Sequence, residues 1–380
     1  MPGFELFGKE EKDAINEVLD NGGVLLKHGF DQKRKGMFKV SEFEKEFAKK
    51  FNVKFSHAVS SGTAALHCAL VGLNVKPGEE VITQSHTFVA TVEAILLAGA
   101  TPVLTEVDKS LNMDPEDLER KITSKTKVII PVHMAGVPAK MDEIMAIAKK
   151  NNLKVLEDSA QLLGGTYKGK YLGTIGDVGI FSFDYAKALT TGEGGMIVTD
   201  NEEIYRKARE FSDHGHEQNP NFPRGEDTRR IWGTTYRMME LQGALGLAQF
   251  KKLDFILERQ KENKKRIKEG IKDVSGIEFR EIPDEEGDTG DTLIFFLENR
   301  EKASKFAKLL SEQGLGTKNL PDAINWHFAG TWSHIFQDVS LWPKSEELLR
   351  RAIALPIMVK MDEEQTNKII KTVREISEKI

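Results

Sequence analysis

Lys187 lies in the stretch FSFDYAKALTTGEGG (Phe181–Gly195), between an apolar run from Val178 to Phe183 and another from Met196 to Thr199. Both runs read as buried strands, and Thr-Thr-Gly-Glu-Gly-Gly between them is too rich in glycine for regular structure. A lysine in such a place must be neutralised, paired or used. One use is attack of a desolvated amine on a carbonyl to form a Schiff base. Taken alone, the stretch fits a solvated lysine on a hairpin loop equally well.

Three other clusters stand where a strand would end. Ser60-Ser61-Gly62-Thr63 leads from a strand into a helix, and the backbone N–H groups of such a helix start suit a phosphate. It has no P-loop lysine, so nucleoside triphosphate hydrolysis is not indicated, and by itself it is also a plain Ser/Thr helix cap. Glu157-Asp158-Ser159-Ala160-Gln161 ends the run Val155–Glu157, and an Asp there can keep a cationic ring nitrogen protonated or simply cap a helix. Thr87-Phe88-Val89-Ala90 offers an aromatic ring to stack on a flat group, although such a phenylalanine is ordinarily core. Together the four clusters supply an imine-forming lysine, a partner for a pyridine nitrogen, a phosphate cradle and a stacking face. Those are the needs of pyridoxal 5'-phosphate (PLP).

The elements that must hold them follow from periodicity. Between residues 55 and 200, strand-like runs (80–83, 102–107, 127–133, 154–157, 178–183, 196–199) alternate with helical patterns (63–73, 88–98, 115–122, 141–151). Cores such as Val128-Ile129-Ile130 are continuously apolar, which predicts a largely parallel sheet covered on both faces, with ligands beyond the strands' carboxyl ends. An amphipathic helix (Lys9–Leu19), an arm with the basic cluster Lys33, Arg34 and Lys35, and a helix through Phe43, Phe47 and Phe51 precede it. The basic cluster reads as a solvated loop. After a polar loop at 214–232, one long helical pattern runs from about Met238 to Ile271. Strands at 277–282 and 292–297 and helices at 302–313 and 362–380 then suggest a smaller α+β domain. The expected division is 1–250, a large α/β domain with an N-terminal arm, and 251–380, a small C-terminal domain.

The chain has 380 residues, a net charge of −5 with both signs interspersed, and 39% hydrophobic residues. That fits a soluble protein and excludes a general nucleic-acid binder. No apolar run approaches the roughly 20 residues a membrane helix needs, and no signal-like start is seen, so a cytoplasmic, non-membrane protein is expected. The single cysteine, Cys68, excludes an internal disulfide and a cysteine zinc cage, and no metal site is expected. Gly173-x-x-Gly176-x-x-Gly179 precedes a strand instead of following one, so a dinucleotide site is not expected.

The motifs SSGTAAL, TFVATVEAILLAGA, LEDSAQ, GDVGIFSFDYAK and TTGEGGMIVT resemble those of the DegT/DnrJ/EryC1/StrS sugar aminotransferases, across essentially the whole chain. The resemblance implies an aspartate-aminotransferase-like, fold type I α/β architecture and a homodimer with shared active sites. It implies that Lys187 carries the cofactor imine, Asp158 pairs with the pyridine nitrogen, Gln161 lies near the ring hydroxyl and Phe88 stacks on the ring. Ser61, Gly62, Thr63 and Ser182 would hold the phosphate. The family usually places asparagine two residues before the arginine of its N-x-R-M-type motif, reaching the partner subunit's cofactor phosphate. Here Thr235 stands there, before Arg237 and Met238, which predicts a shorter reach and a weaker cross-subunit contact.

Within the family, MPGFELFG, FSDHGHEQ, FREIPDEEGD and NWHFAGTWSHI are similar to the branch that makes 8-amino-3,8-dideoxy-manno-octulosonate. That implies transfer from L-glutamate to the 8-keto form of Kdo, a lipopolysaccharide sugar. His214, His216, Arg229, Trp326 and His327 are then the candidates for sugar contact, with Arg229 or the Lys33–Lys35 arm for its carboxylate. A nucleotide-linked 3- or 4-keto-hexose is the alternative acceptor. The dehydratase branch, which has histidine at the lysine position, is disfavoured by Lys187. A PLP-binding protein without turnover is disfavoured by the intact Lys187, Asp158 and Gln161.

Overall fold

The computed structural model describes residues 3–219 and 221–380, so the first two residues of the MPGFELFG opening lie outside it. The strands of the N-terminal part are β1 (Phe55–Val59), β2 (Glu80–Gln84), β3 (Thr101–Thr105), β4 (Thr126–Ile130), β5 (Lys154–Asp158), the ribbon β6 (Thr166–Tyr167) and β7 (Lys170–Tyr171), β8 (Val178–Ser182) and β9 (Gly195–Thr199). Seven of them form one sheet in the order β1-β9-β8-β5-β4-β2-β3. β8, β5, β4, β2 and β3 run parallel, and β9 is antiparallel to both β1 and β8.

Both faces of the sheet are buried, which explains the continuous apolar runs. Val128 and Ile130 pack with Leu66 and Ala69 of the helix Gly62–Gly72 and with Ile95 on one face. Ile129 between them packs with Met141 and Ile144 of the helix Met141–Lys150 on the other. Cys68 is buried in the first cluster. Helices thus cover strands whose carboxyl ends gather Ser61, Asp158 and Ser182 along one edge of the layer.

β8 is held by an aromatic cluster. Phe43, Phe47 and Phe51, spaced on one face of the helix Lys39–Phe51, meet Phe181 and Phe183 with ring centroids 5.1–5.2 Å apart. Such a contact removes whole rings from water, and truncating one of them to alanine costs about 3–5 kcal/mol.

The structure corrects the expected long helix and the solvated basic cluster. The expected long helix is two, Glu240–Phe250 and Leu253–Ile271. The chain tightens between them, where the Lys252 N–H donates to the Gln249 carbonyl at 2.9 Å and its ammonium reaches the Leu6 carbonyl at 2.7 Å and Glu11 at 2.6 Å. Apolar spacing continues across the break, so periodicity alone joins them. Arg34 is not solvated: it is buried, donating to the carbonyls of Gly29, Met37 and Leu26 and lying 3.5 Å from Glu240.

A second, antiparallel sheet has the order β10 (Glu278–Phe279), β11 (Thr292–Phe296), β12 (Ala352–Pro356). Phe295 and Ile353 pack on Phe306 and Val373 of the helices Arg300–Glu312 and Glu363–Ser377. The strand expected at 277–282 shrinks to two residues, and β12 and the helices Glu202–Phe211 and Pro343–Arg351 were not anticipated. Among the described residues no helix is long and apolar enough to cross a membrane.

Candidate active site

Lys187 stands in the turn between β8 and β9. Asp184 nucleates that turn: its carbonyl accepts from the Lys187 N–H at 3.0 Å and its carboxylate from the Ala186 N–H at 2.9 Å. Further on, the N–H groups of Phe183 and Thr191 close the loop on Gly194 and Phe183. The N-terminal turn Gly3–Leu6 clasps it from outside. The Gly3 N–H donates to the Lys187 carbonyl at 3.1 Å, and Phe4 stacks on Tyr185 with centroids 5.0 Å apart. Glu5 in turn accepts from the N–H groups of Val359 and Lys360, beyond β12. Lys187 has no ion-pair partner among the described residues; burial lowers its pKa, Asp184 opposes this and Lys318 adds to it. A lysine amine so placed is nearer its nucleophilic neutral form than a solvated one.

Opposite β8, Ser61 caps the helix Gly62–Gly72. Its hydroxyl accepts from the Ala64 N–H and its carbonyl from the Ala65 N–H, each at 3.0 Å. No acceptor among the described residues takes the Gly62 or Thr63 N–H, so both remain for a ligand, with the Ser182 hydroxyl beside them. The helix start sits unusually close to the sheet. A Cβ on Gly195 would lie 2.3 Å from the Ser61 carbonyl oxygen, and one on Gly62 would lie 2.8 Å from Ser182 Cβ.

Asp158 ends β5 in full burial. Its carboxylate accepts from Thr91 Oγ1 at 2.8 Å and from the Ala160 N–H at 3.1 Å, yet burial still raises its pKa. A cation beside it would restore its ionised form. The adjacent Glu157 is structural. It accepts from the N–H groups of Gly173, Ile175 and Gly176 at 2.6–2.9 Å and meets His133 at 3.2 Å, which fixes the glycine-rich turn before β8.

Ser61, Gly62, Thr63, Phe88, Asp158, Gln161, Ser182, Lys187 and His327 line one cavity of about 440 Å3. Gln161 is oriented by its Oε1 accepting from the Ala135 N–H at 3.1 Å. Phe88 is 42% exposed; its ring lies 5.5 Å from that of His327 and 6.4 Å from the nearly parallel indole of Trp326, itself 61% exposed. Burial pulls His327 down to about 4, and its Nδ1–H donates to the Ala323 carbonyl at 2.8 Å. Its Nε2 is therefore an acceptor near neutral pH.

Other expected residues are not brought to this cavity. Thr235 is exposed, bridged to Asp213; His214 is exposed nearby; His216 lies 3.4 Å from Asp227 and 3.3 Å from the exposed Arg229. Trp326 stands at the mouth without lining it. The cavity wall also includes Thr91, Asp184, Glu193, Asp291, Lys318 and Asn319, which sequence reasoning missed. Only Thr91 left a trace, its hydroxyl spacing with Thr87 four residues earlier.

The donor set fits PLP: a lysine, a buried carboxylate for a ring nitrogen, and free N–H groups with hydroxyls for a phosphate. Fold and cavity define a PLP-dependent aminotransferase. The chain belongs to the DegT/DnrJ/EryC1/StrS aminotransferase family, whose model matches residues 7–374. It is 34% identical to the spore coat polysaccharide biosynthesis protein SpsC of Bacillus subtilis (strain 168), over 98% of this chain and 95% of that one. It is also 34% identical to the GDP-perosamine synthase of Escherichia coli O157:H7, over 97% and 96%. Among solved structures, the aminotransferase from Psychrobacter cryohalolentis superposes with a TM-score of 0.85 at 28% identity, covering 98% of each chain.

Proposed function

We propose that this sugar aminotransferase moves the amino group of L-glutamate to the 8-keto form of Kdo, giving 8-amino-3,8-dideoxy-manno-octulosonate. The observation that carries the chemistry is the convergence of Lys187, Asp158 and the free N–H groups of Gly62 and Thr63 on one cavity from three separate strand ends. When bound, PLP supplies the electron sink for charge at the substrate carbon. Gly62, Thr63, Ser61 and Ser182 would hold its phosphate, Asp158 the proton of its ring nitrogen, Gln161 its hydroxyl and Phe88 one ring face. Lys187 anchors it, takes the donor's Cα proton once displaced, and returns a proton on the way to product.

The choice of sugar rests on the four segments that resemble the Kdo-aminating branch. Two of them act near the cavity: the Gly3–Leu6 turn clasps the Lys187 loop, and Trp326 and His327 flank Phe88. A homodimer is part of the proposal, with Thr235 of the partner subunit reaching the phosphate and the loop carrying His214, His216 and Arg229 facing the neighbouring cavity. So are a cytoplasmic setting and a division of labour between 1–250, which holds the cofactor, and 251–380, which closes on the substrate. The second reading, a nucleotide-linked keto-hexose acceptor, is favoured by the similarity to a GDP-perosamine synthase. Offering the holoenzyme L-glutamate with 8-keto Kdo, and separately with nucleotide-linked 3- and 4-keto-hexoses, decides between them. Amination of the hexoses alone rejects the Kdo reading.

A further inference from the structure

Lys318 lines the same cavity as Lys187, and its charge is felt there. Its backbone is tied to β12: the Lys318 N–H donates to the Ala354 carbonyl at 2.8 Å, and the Ala354 N–H returns a bond to Leu320 at 3.1 Å. Its ammonium donates to Asp291 Oδ2 at 2.5 Å, with Lys318 7% and Asp291 9% exposed. Thr292 Oγ1 donates to the other Asp291 oxygen at 2.8 Å, so the carboxylate is itself held in place. An ammonium has three N–H donors, and Asp291 takes one. The residue is buried from bulk water yet borders the cavity, as does its partner.

Lys187 is committed to the amino group. Among the described residues that line the cavity, Lys318 is the only other lysine or arginine, and burial keeps His327 neutral. In a ping-pong transfer, donor and acceptor occupy the same space in turn. L-Glutamate carries carboxylates, and a carboxylate leaving water needs a charged donor to meet it. We propose that Lys318, positioned by Asp291, is the carboxylate anchor of the cavity. It serves the donor and, on the reading above, the sugar acid that follows it. The acceptor nitrogen of His327 beside it suits a sugar hydroxyl.

The test uses holoenzyme without any sugar. L-Glutamate is titrated into wild type, K318Q and K318R while the absorbance of the bound cofactor reports the first half-reaction. Glutarate, which cannot react, is titrated separately and read from its perturbation of the same absorbance. K318Q is expected to raise half-saturation by both ligands tenfold or more, with the limiting rate changed less than threefold, and K318R to recover most of the loss. Should glutamine not be tolerated beside Asp291, the double variant K318M/D291N removes both charges and gives the same readout. Half-saturation within threefold of wild type for both ligands overturns the proposal. Because no sugar is present, failure of the Kdo assay leaves this result standing. A donor other than glutamate shows as an inert glutamate titration beside an intact glutarate response.

Discussion

Thr91 Oγ1 donates to Asp158 Oδ2 at 2.8 Å, joining the helix that starts beside Phe88 to the carboxyl end of β5. Thr87 backs it, its hydroxyl 2.8 Å from that of Thr91. The carboxylate that faces the cavity is therefore aimed by the same helix that presents the aromatic ring.

A pH effect follows for the cofactor-free protein. Burial raises Asp158 above its ordinary range, against the opposing bonds from Ala160 and Thr91. A carboxyl raised in the native state contributes its full stability below the unfolded value of about 4 and loses it as pH rises through the native value. Asp158→Asn removes that loss. Its thermal midpoint, measured without cofactor, is expected to gain on wild type between pH 4 and pH 8, and a constant offset refutes the assignment. With PLP present the order reverses, because Asn offers no charge to the ring nitrogen.

Lys187→Ala is expected to bind PLP without covalent attachment. Borohydride then fixes cofactor to wild type only, as read by mass, and turnover falls by about 10²–10⁴-fold or more. Borohydride-stable cofactor in the variant refutes the role of Lys187.

Acid sensitivity has a separate source on β1 itself. His57 is buried with Nε2 2.8 Å from Ser212 Oγ and Nδ1 3.3 Å from Lys27, and burial, then the Lys27 charge, lowers it to about 4. A histidine lowered in the native state is neutral there but charged when unfolded, so stability falls as pH drops from about 6.5 to about 4. Urea midpoints at pH 4.5 and 7 should differ less in His57→Gln than in wild type. An equal difference would show that other groups carry the effect.

Phe4→Ala is expected to loosen the loop 183–194 by removing the stack on Tyr185, a contact of about 0.5–1.5 kcal/mol. Hydrogen exchange of that loop should quicken while the helix Arg300–Glu312 stays as slow as before. Unchanged exchange in the loop would mean that Gly3 and Glu5 alone hold the clasp.

The sequence was informative where a single element decides the matter. Val128-Ile129-Ile130 predicts a strand buried on both faces, and Ser61, Asp158 and Ser182 fall at strand ends, Ser61 where a helix takes over and the other two where the chain turns. Lys318 and Asp291 escaped notice because their meaning comes from pairing between β11 and β12, far from the cofactor motifs, and an isolated lysine in Gly-Thr-Lys-Asn carries no periodic signal. Arg34 was misread for the same reason. Nothing local tells that the arm folds back so that carbonyls and Glu240 surround its guanidinium.

The contact of Gly195 with Ser61, and of Gly62 with Ser182, leaves the anion end of the cavity no slack. Even one methyl group at either glycine would push the helix start away from the sheet and spread the N–H groups apart. Neither glycine there can take a side chain without moving the cradle. Room for a different acceptor is left to the lining residues outside that cradle, such as Asn319 and His327, where side chains can change size without moving it.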